Sequence, residues 1–193
     1  MRTVLITGGA GFIGSNLADM LLNKGFRVIA IDNFDDYYDT AIKKQHISNA
    51  LQNQAYTFIE HDINDIDGFI HMIPRNTDCV FHLAARAGVR HSIQNPAGYL
   101  ETNVTGTEKI AQLANKLQIP RLIFTSSSSV YGNNQNQPWY ESSETSPMSP
   151  YAMTKLQAEE YLQRFASQAD IRIVVMRLFS VYGRRMRPDL MMN

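Results

Sequence analysis

The chain has 193 residues, 44% of them hydrophobic, and its 18 Lys and Arg balance 18 Asp and Glu to a formal net charge of zero. That is enough length and apolar content for one domain with a real core, and the balanced charge gives no electrostatic case for nucleic acid or an anionic membrane as a partner. The single cysteine, Cys79, excludes an intrachain disulfide and fits a reducing cytoplasm, where we expect the protein to reside. No stretch approaches the length of a transmembrane helix, and an N-terminus that is already strand and glycine loop does not read as a signal peptide.

In chain order, Arg2 to Thr7 carries the apolar run Val4-Leu5-Ile6 and reads as a buried parallel strand. Gly8-Gly9-Ala10-Gly11-Phe12-Ile13-Gly14 follows at once, and then a helical pattern with Ile13, Leu17, Met20 and Leu21 on one face and Gly25 as its stop. Glycines at 8, 11 and 14 suit a tight turn, close backbone approach to a pyrophosphate and close helix–strand packing, with the helix N-terminus facing the phosphates. A second strand, Phe26 to Ile31, ends in Asp32, placed to accept hydrogen bonds from a ribose and to repel a 2′-phosphate, which favours NAD over NADP.

Further strands are predicted at Tyr56 to Glu60, Asp78 to Leu83, Arg121 to Thr125 and Ile171 to Met176. A helix is predicted from Pro96 to Leu117, with Leu100, Val104, Ala111, Ala114 and Leu117 near one face, and another from Tyr151 to Ala169. Gly132 to Pro150, rich in Asn, Gln, Ser and Pro, reads as a surface loop. The alternation predicts an α/β fold, a Rossmann-like doubly wound parallel sheet of order 3-2-1-4-5-6 with helices on both faces. Right-handed crossovers then bring the glycine loop, Asp32, Ala84 and Ser127 to one sheet edge.

Tyr151 and Lys155 fall on one face of their helix, one turn apart. A phenol titrates near 10, and an ammonium beside it is expected to favour the phenolate. With a serine from Ser126 to Ser129 sharing the proton network, these are the parts needed to remove a proton from a hydroxyl while hydride leaves its carbon. The five histidines show no metal-ligand spacing, so no metal is expected. His82 reads as a packed residue at a strand end, and Ser126, Ser128 and Ser129 as backbone partners.

At this point the chain resembles the extended short-chain dehydrogenase/reductase family, the NAD-dependent nucleotide-sugar epimerases and dehydratases. The marks are Thr7-Gly-Gly-Ala-Gly-Phe-Ile-Gly14, Asp62-Ile63, His82-Leu-Ala-Ala85, Asn103, Ser126-Ser-Ser-Ser-Val-Tyr-Gly132 and Tyr151-x-x-x-Lys155. The resemblance implies Ser127, Tyr151 and Lys155 as catalytic residues. It implies a cofactor site of Gly8, Gly11, Phe12, Ile13, Gly14, Asp32, Asn33, Asp62, Ile63, Leu83, Ala84, Ala85 and Asn103, with Tyr151 and Lys155 reaching the same NAD. Relatives that eliminate water or decarboxylate carry acidic residues where this chain has Ser128 and Ser129, so the resemblance disfavours both reactions.

Three stretches look like UDP-glucuronate 4-epimerases: residues 31–39, 87–96 and 184–189. On that resemblance Arg90, Ser92, Ser128 and Ser180 are candidates for substrate binding. Arg90 fits two readings, a guanidinium fork for a carboxylate or an anchor for its own loop. Arg86 stands where these epimerases usually carry glutamine, and Ser180 where they carry threonine. The resemblance implies an NAD-binding domain over residues 1–180, with 181–193 as the start of a substrate-binding lobe that relatives continue and this chain lacks.

The implied reaction is a redox round trip on a UDP-sugar: oxidation at C4 to a 4-keto sugar, then re-reduction on the other face by tightly held NAD. The alternatives are a related UDP-glucose/galactose 4-epimerase, or an NAD-binding module without turnover. Relatives often form dimers through helices near 98–117 and 150–168, so the resemblance allows a homodimer, while the sequence itself leaves the oligomer open.

Overall fold

The computed structural model describes residues 1–188. Six parallel strands form one sheet: β1 (Thr3–Thr7), β2 (Arg27–Asp32), β3 (Tyr56–Glu60), β4 (Thr77–His82), β5 (Arg121–Ser127) and β6 (Arg172–Leu178). Their order is β3-β2-β1-β4-β5-β6, as predicted. The helices are α1 (Phe12–Asn23), α2 (Thr40–Ile47), α3 (Ile66–Phe69), α4 (Val89–Gln94), α5 (Pro96–Leu100), α6 (Gly106–Lys116) and α7 (Pro150–Ala166). None of them is long and apolar enough to cross a membrane.

Alternate residues of the central strands feed two cores, one on each sheet face. Leu5, Ile29, Ile31, Val80, Leu122 and Phe124 pack with Ile110 and Leu113 of α6 and Ala158 and Leu162 of α7. Val4, Ile6, Val28 and Ala30 pack on the other side with Ala18 and Leu21 of α1. Covering on both faces is why β1 and β2 carry the continuous apolar runs Val4-Leu5-Ile6 and Val28-Ile29-Ala30-Ile31.

The predicted helix over 96–117 is interrupted. Asn95 caps α5 by accepting from Gly98 N at 3.1 Å, but Glu101–Thr105 forms one turn of π-helix before α6 begins. The wider turn adds a residue to the helical repeat. The 3.6-residue count back from Ala111 therefore fails at Leu100, which is 48% exposed, while Tyr99 is fully buried in its place. α2, α3 and α4 were not anticipated; all are short, and none carries a strong apolar repeat.

α7 begins as its sequence predicts. Ser149 accepts from Ala152 N at 3.1 Å, and Pro150 occupies the first turn, where a missing N–H costs nothing. The helix buries Thr154, Lys155, Ala158, Glu159 and Leu162, so its inward stripe holds a lysine and a glutamate among small and apolar residues.

Candidate functional site

The strand C-termini open onto a cleft of about 1240 Å³. That exceeds the roughly 300–1,000 Å³ of ordinary small-molecule pockets and suits an extended ligand. Its floor is the turn after β1. Gly8 has φ +71°, a conformation L side chains rarely adopt, and Gly11 N donates to Gly8 O at 3.2 Å to close the turn. A Cβ at Gly14 would stand 2.1 Å from Gly8 O, so only glycine lets α1 start this close to the turn. No side chain caps the Gly11 end of α1, and the first-turn N–H groups of a helix have no partners within it. The result is an anion-binding cradle.

Asp32, 8% exposed, accepts from Ala10 N at 3.1 Å and from Phe34 N at 2.9 Å. Burial raises its carboxyl above the usual range, against the pull of Lys43 and of these two N–H groups. Lys43 Nζ lies 3.9 Å from Asp32 Oδ1 and donates to Asp35 O at 2.7 Å. The next post along the edge is Asp62, which accepts from Asn33 Nδ2 at 2.8 Å and from Asn64 N at 2.7 Å.

The other end of the cleft holds Ser127, Tyr151 and Lys155. Ser127 Oγ accepts from Ser129 Oγ at 2.9 Å and from Ser129 N at 3.2 Å. With both acceptor directions used, its own proton is free to serve Tyr151, which lines the same cleft and whose phenol it pulls down. Lys155 is 3% exposed and donates to Thr125 O at 2.8 Å, with Nζ 4.8 Å from the Phe124 ring centroid. Burial pulls its ammonium down to about 7, and the Glu159 carboxylate opposes that.

Sequence reasoning expected Lys155 to depress the Tyr151 phenol. In the structure burial raises it instead, and the groups that pull it back are the Ser127 hydrogen bond and the Arg187 charge. The physical reason lies in Lys155's own contacts, which point it at the β5 backbone.

Behind the pair, Glu159 accepts from Arg177 Nη2 at 2.8 Å and Nε at 3.1 Å, and from Ser126 Oγ. Ser126 is thus a partner of a buried carboxylate. His82 is packed as predicted: Thr7 Oγ1 lies 2.6 Å from Nδ1 and Thr107 Oγ1 2.9 Å from Nε2. Because Thr107 Oγ1 already donates to Asn103 O at 2.6 Å, Nε2 must carry the proton and Nδ1 must accept. Burial pushes this imidazole down to about 3.

Of the residues singled out from sequence, Gly8, Gly11, Phe12, Ile13, Gly14, Asp32, Asn33, Asp62, Ile63, Leu83, Ala84, Ala85, Ser127, Ser128, Tyr151, Lys155 and Ser180 all line this one cleft. Asn103, Arg90 and Ser92 do not. Asn103 is fully buried and bonds Arg86 and Thr154. Ser92 is fully buried and donates to Val89 O at 2.6 Å within its own helix, so its hydroxyl is spent on backbone. Arg90 is exposed outside the lining. The structure adds Lys43, Arg86 and Arg187 to the cleft wall. A lysine eleven residues past Asp32 carries no recognisable motif. Arg187 falls in the 184–189 stretch already noted, of which Asp189 lies outside the described residues.

A parallel sheet of this order, with a glycine cradle at its first turn and a Ser–Tyr–Lys set at the far end of the same cleft, defines a dinucleotide-binding domain. The sequence profile of the NAD dependent epimerase/dehydratase family matches residues 4–193, and the chain belongs to that family.

It is 36% identical to a UDP-glucuronate 4-epimerase of Thermodesulfobacterium geofontis over 98% of this chain and 59% of that protein. Its fold matches the structure of UDP-glucuronic acid 4-epimerase from Bacillus cereus, in complex with UDP-glucuronic acid and NAD, with a TM-score of 0.91 and 34% identity over 98% of this chain and 60% of that one. It also matches UDP-glucose 4-epimerase of Thermotoga maritima, TM-score 0.86 and 33% identity, over 97% and 58%. The chain thus spans about three-fifths of the length of these relatives. NAD, the family's cofactor, fits the groove: a cradle only glycine permits, uncapped helix N–H groups, and an acid at the end of β2.

Proposed function

We propose that this chain carries the NAD-binding and proton-transfer half of a nucleotide-sugar 4-epimerase, and that the sugar is UDP-glucuronate. The observation that carries the reading is that Ser127, Tyr151 and Lys155 line the same cleft as the glycine cradle. When bound, NAD supplies the hydride acceptor and donor. Tyr151 Oη removes the proton from the sugar 4-hydroxyl and returns it after the 4-keto sugar has presented its other face. Ser127 donates to the tyrosine oxygen and holds it on the reacting alcohol. Lys155, held on Thr125 O, lines the cleft one helical turn from Tyr151, and the groups that favour the phenolate are Ser127 and Arg187.

Arg187 supports the choice of sugar. Its guanidinium lines the cleft 5.2 Å from the Tyr37 ring centroid, and its charge acts on Tyr151. A sugar whose 4-hydroxyl meets Tyr151 and whose neighbouring carbon bears a carboxylate would place that charge near the arginine, a matched pair. Residues 181–188 then begin the substrate side of the site, as Ser180, Val181, Tyr182 and Arg187 all line the cleft.

The test is conversion of UDP-glucuronate to its C4 epimer, followed by chromatography, with wild type, Tyr151→Phe and Arg187→Met. Tyr151→Phe should retain NAD and lose on the order of 10²–10⁴ in rate. Arg187→Met should lose UDP-glucuronate turnover more than UDP-glucose turnover. Near-normal turnover by Tyr151→Phe would sink the proton-transfer assignment. NAD binding with no turnover by the wild-type chain would assign it to the binding-module reading instead.

A further inference from the structure

We propose that Arg86 and Asp35 form a strap across the middle of the cleft that retains the bound dinucleotide. Arg86 Nη2 lies 2.5 Å from Asp35 Oδ2, and both side chains remain partly open, 28% and 22% exposed. Both residues line the same cleft as the glycine cradle.

The pair joins two separate loops. Asp35 follows the end of β2 by three residues and Arg86 follows the end of β4 by four. In the sheet β1 lies between β2 and β4, so the ion pair connects the loops on either side of the glycine turn that ends β1. Two strand spacings separate those loops, roughly 10 Å, a span an arginine and an aspartate meeting end to end can cover. A ligand whose pyrophosphate rests on the cradle, with one end at Asp32 and the other at Tyr151, must pass this line.

Each post is fixed at its base, so the pair links two held points. Asp35 N donates to Asn33 Oδ1 at 3.0 Å, Asp35 Oδ1 accepts from Tyr37 N at 3.0 Å, and Asp35 O accepts from Lys43 Nζ at 2.7 Å. Arg86 N and O are both bonded by the Asn103 amide, at 2.8 and 3.0 Å. The function gained is retention. A reaction with no net redox change has no use for cofactor exchange, and a strap that must open before the dinucleotide leaves slows its release.

The proposal rests on the NAD groove described above. Its test follows NADH fluorescence while bound NADH is chased from the protein by excess ADP-ribose. At low salt, Arg86→Gln and Asp35→Asn should each speed release about fivefold, the size expected of a partly exposed ion pair. The double variant should be no faster than either single one, and Asp35→Arg combined with Arg86→Asp should restore slow release. At 1 M salt, where screening acts within about 3 Å, the difference from wild type should shrink. Release rates equal to wild type in both single variants, or effects that add in the double variant, overturn the strap. A wild-type chain that holds no NADH overturns the strap and the groove together.

Discussion

Asn103 grips the peptide of Arg86 from both sides: its Oδ1 accepts from Arg86 N at 2.8 Å, and its Nδ2 donates to Arg86 O at 3.0 Å. The same Nδ2 donates to Thr154 Oγ1 at 3.1 Å, and Thr154 Oγ1 donates to Tyr151 O at 2.9 Å. One fully buried amide thus connects the loop after β4 with the first turn of α7, where Tyr151 sits. The π turn over Glu101–Thr105 is what carries Asn103 at this point in the chain.

Asn103→Ala should therefore destabilise the fold by about 2–4 kcal/mol, since the backbone groups of Arg86 lose buried partners. Thermal unfolding should fall by several degrees, and the expected second readout is weaker placement of Tyr151, seen as reduced kcat with NAD still bound. Wild-type stability in Asn103→Ala would show that water replaces the amide at no cost and that the bridge is incidental.

Buried groups give the stability a pH dependence in separate windows. The His82 imidazole is pushed down to about 3 from 6.5, so between those values the unfolded chain binds a proton that the folded chain refuses. Stability is then lost as pH falls below 6.5. The Lys155 ammonium is pulled down to about 7 from 10.5. Below pH 7 both states carry its charge and the burial cost is fully felt. Above pH 7 the folded chain releases the proton first, and stability rises with pH. Each full proton gives a slope of roughly 1.4 kcal/mol per pH unit. Cys79, pushed up to about 11, opposes the rise once unfolded thiols begin to ionise near 9. Urea titrations without nucleotide should therefore show the Lys155 slope most clearly between pH 7 and 9. His82→Gln should reduce the slope of the acid branch, to which the His46 imidazole, also pushed down by burial, contributes, and Lys155→Met should flatten the branch above 7. The same slope from 7 to 9 in Lys155→Met would remove Lys155 as its source.

Much of this site can be read from sequence because its parts are local. The turn after β1 needs glycine at 8 and 14 for steric reasons that hold in any chain, and Tyr151 and Lys155 share a helix face by periodicity alone. Strand order follows from alternating elements and right-handed crossovers. What sequence reading missed depends on contacts between distant residues. The π turn follows from an amide reaching Arg86, 17 residues away. Lys155 points at Thr125 O, 30 residues back, and no spacing rule announces that. Ser92 looked like a free hydroxyl until the helix over Val89–Gln94 turned it inward onto its own backbone. Lys43 gained its place at Asp32 only when α2 folded against the strand edge.

Glu159 is the residue on which the Tyr151 end of α7 rests. It lies one turn beyond Lys155, is 8% exposed, and takes two guanidinium nitrogens of Arg177 together with the Ser126 hydroxyl. Glu159→Gln removes the charge while leaving the shape, so Arg177 loses its counter-ion in a half-buried place. Breaking a buried pair from one side costs about 3–5 kcal/mol. Here the lower end is expected, because Arg177 keeps 19% exposure and a further acceptor in Glu141 O at 3.2 Å. For a chain of this size that is roughly a 6–12 °C loss in Tm. Arg177→Met added to Glu159→Gln should recover part of it, since no unpaired charge then remains. The same change should lower the Lys155 titration further, as Glu159 is the group that raises it. The rise in stability now expected above pH 7 would then begin at lower pH. Calorimetry on the single and double variants, with the urea series repeated on Glu159→Gln, checks both. A Glu159→Gln chain as stable as wild type, with an unmoved pH profile, would mean that the Arg177 pair carries neither the helix nor the charge of Lys155.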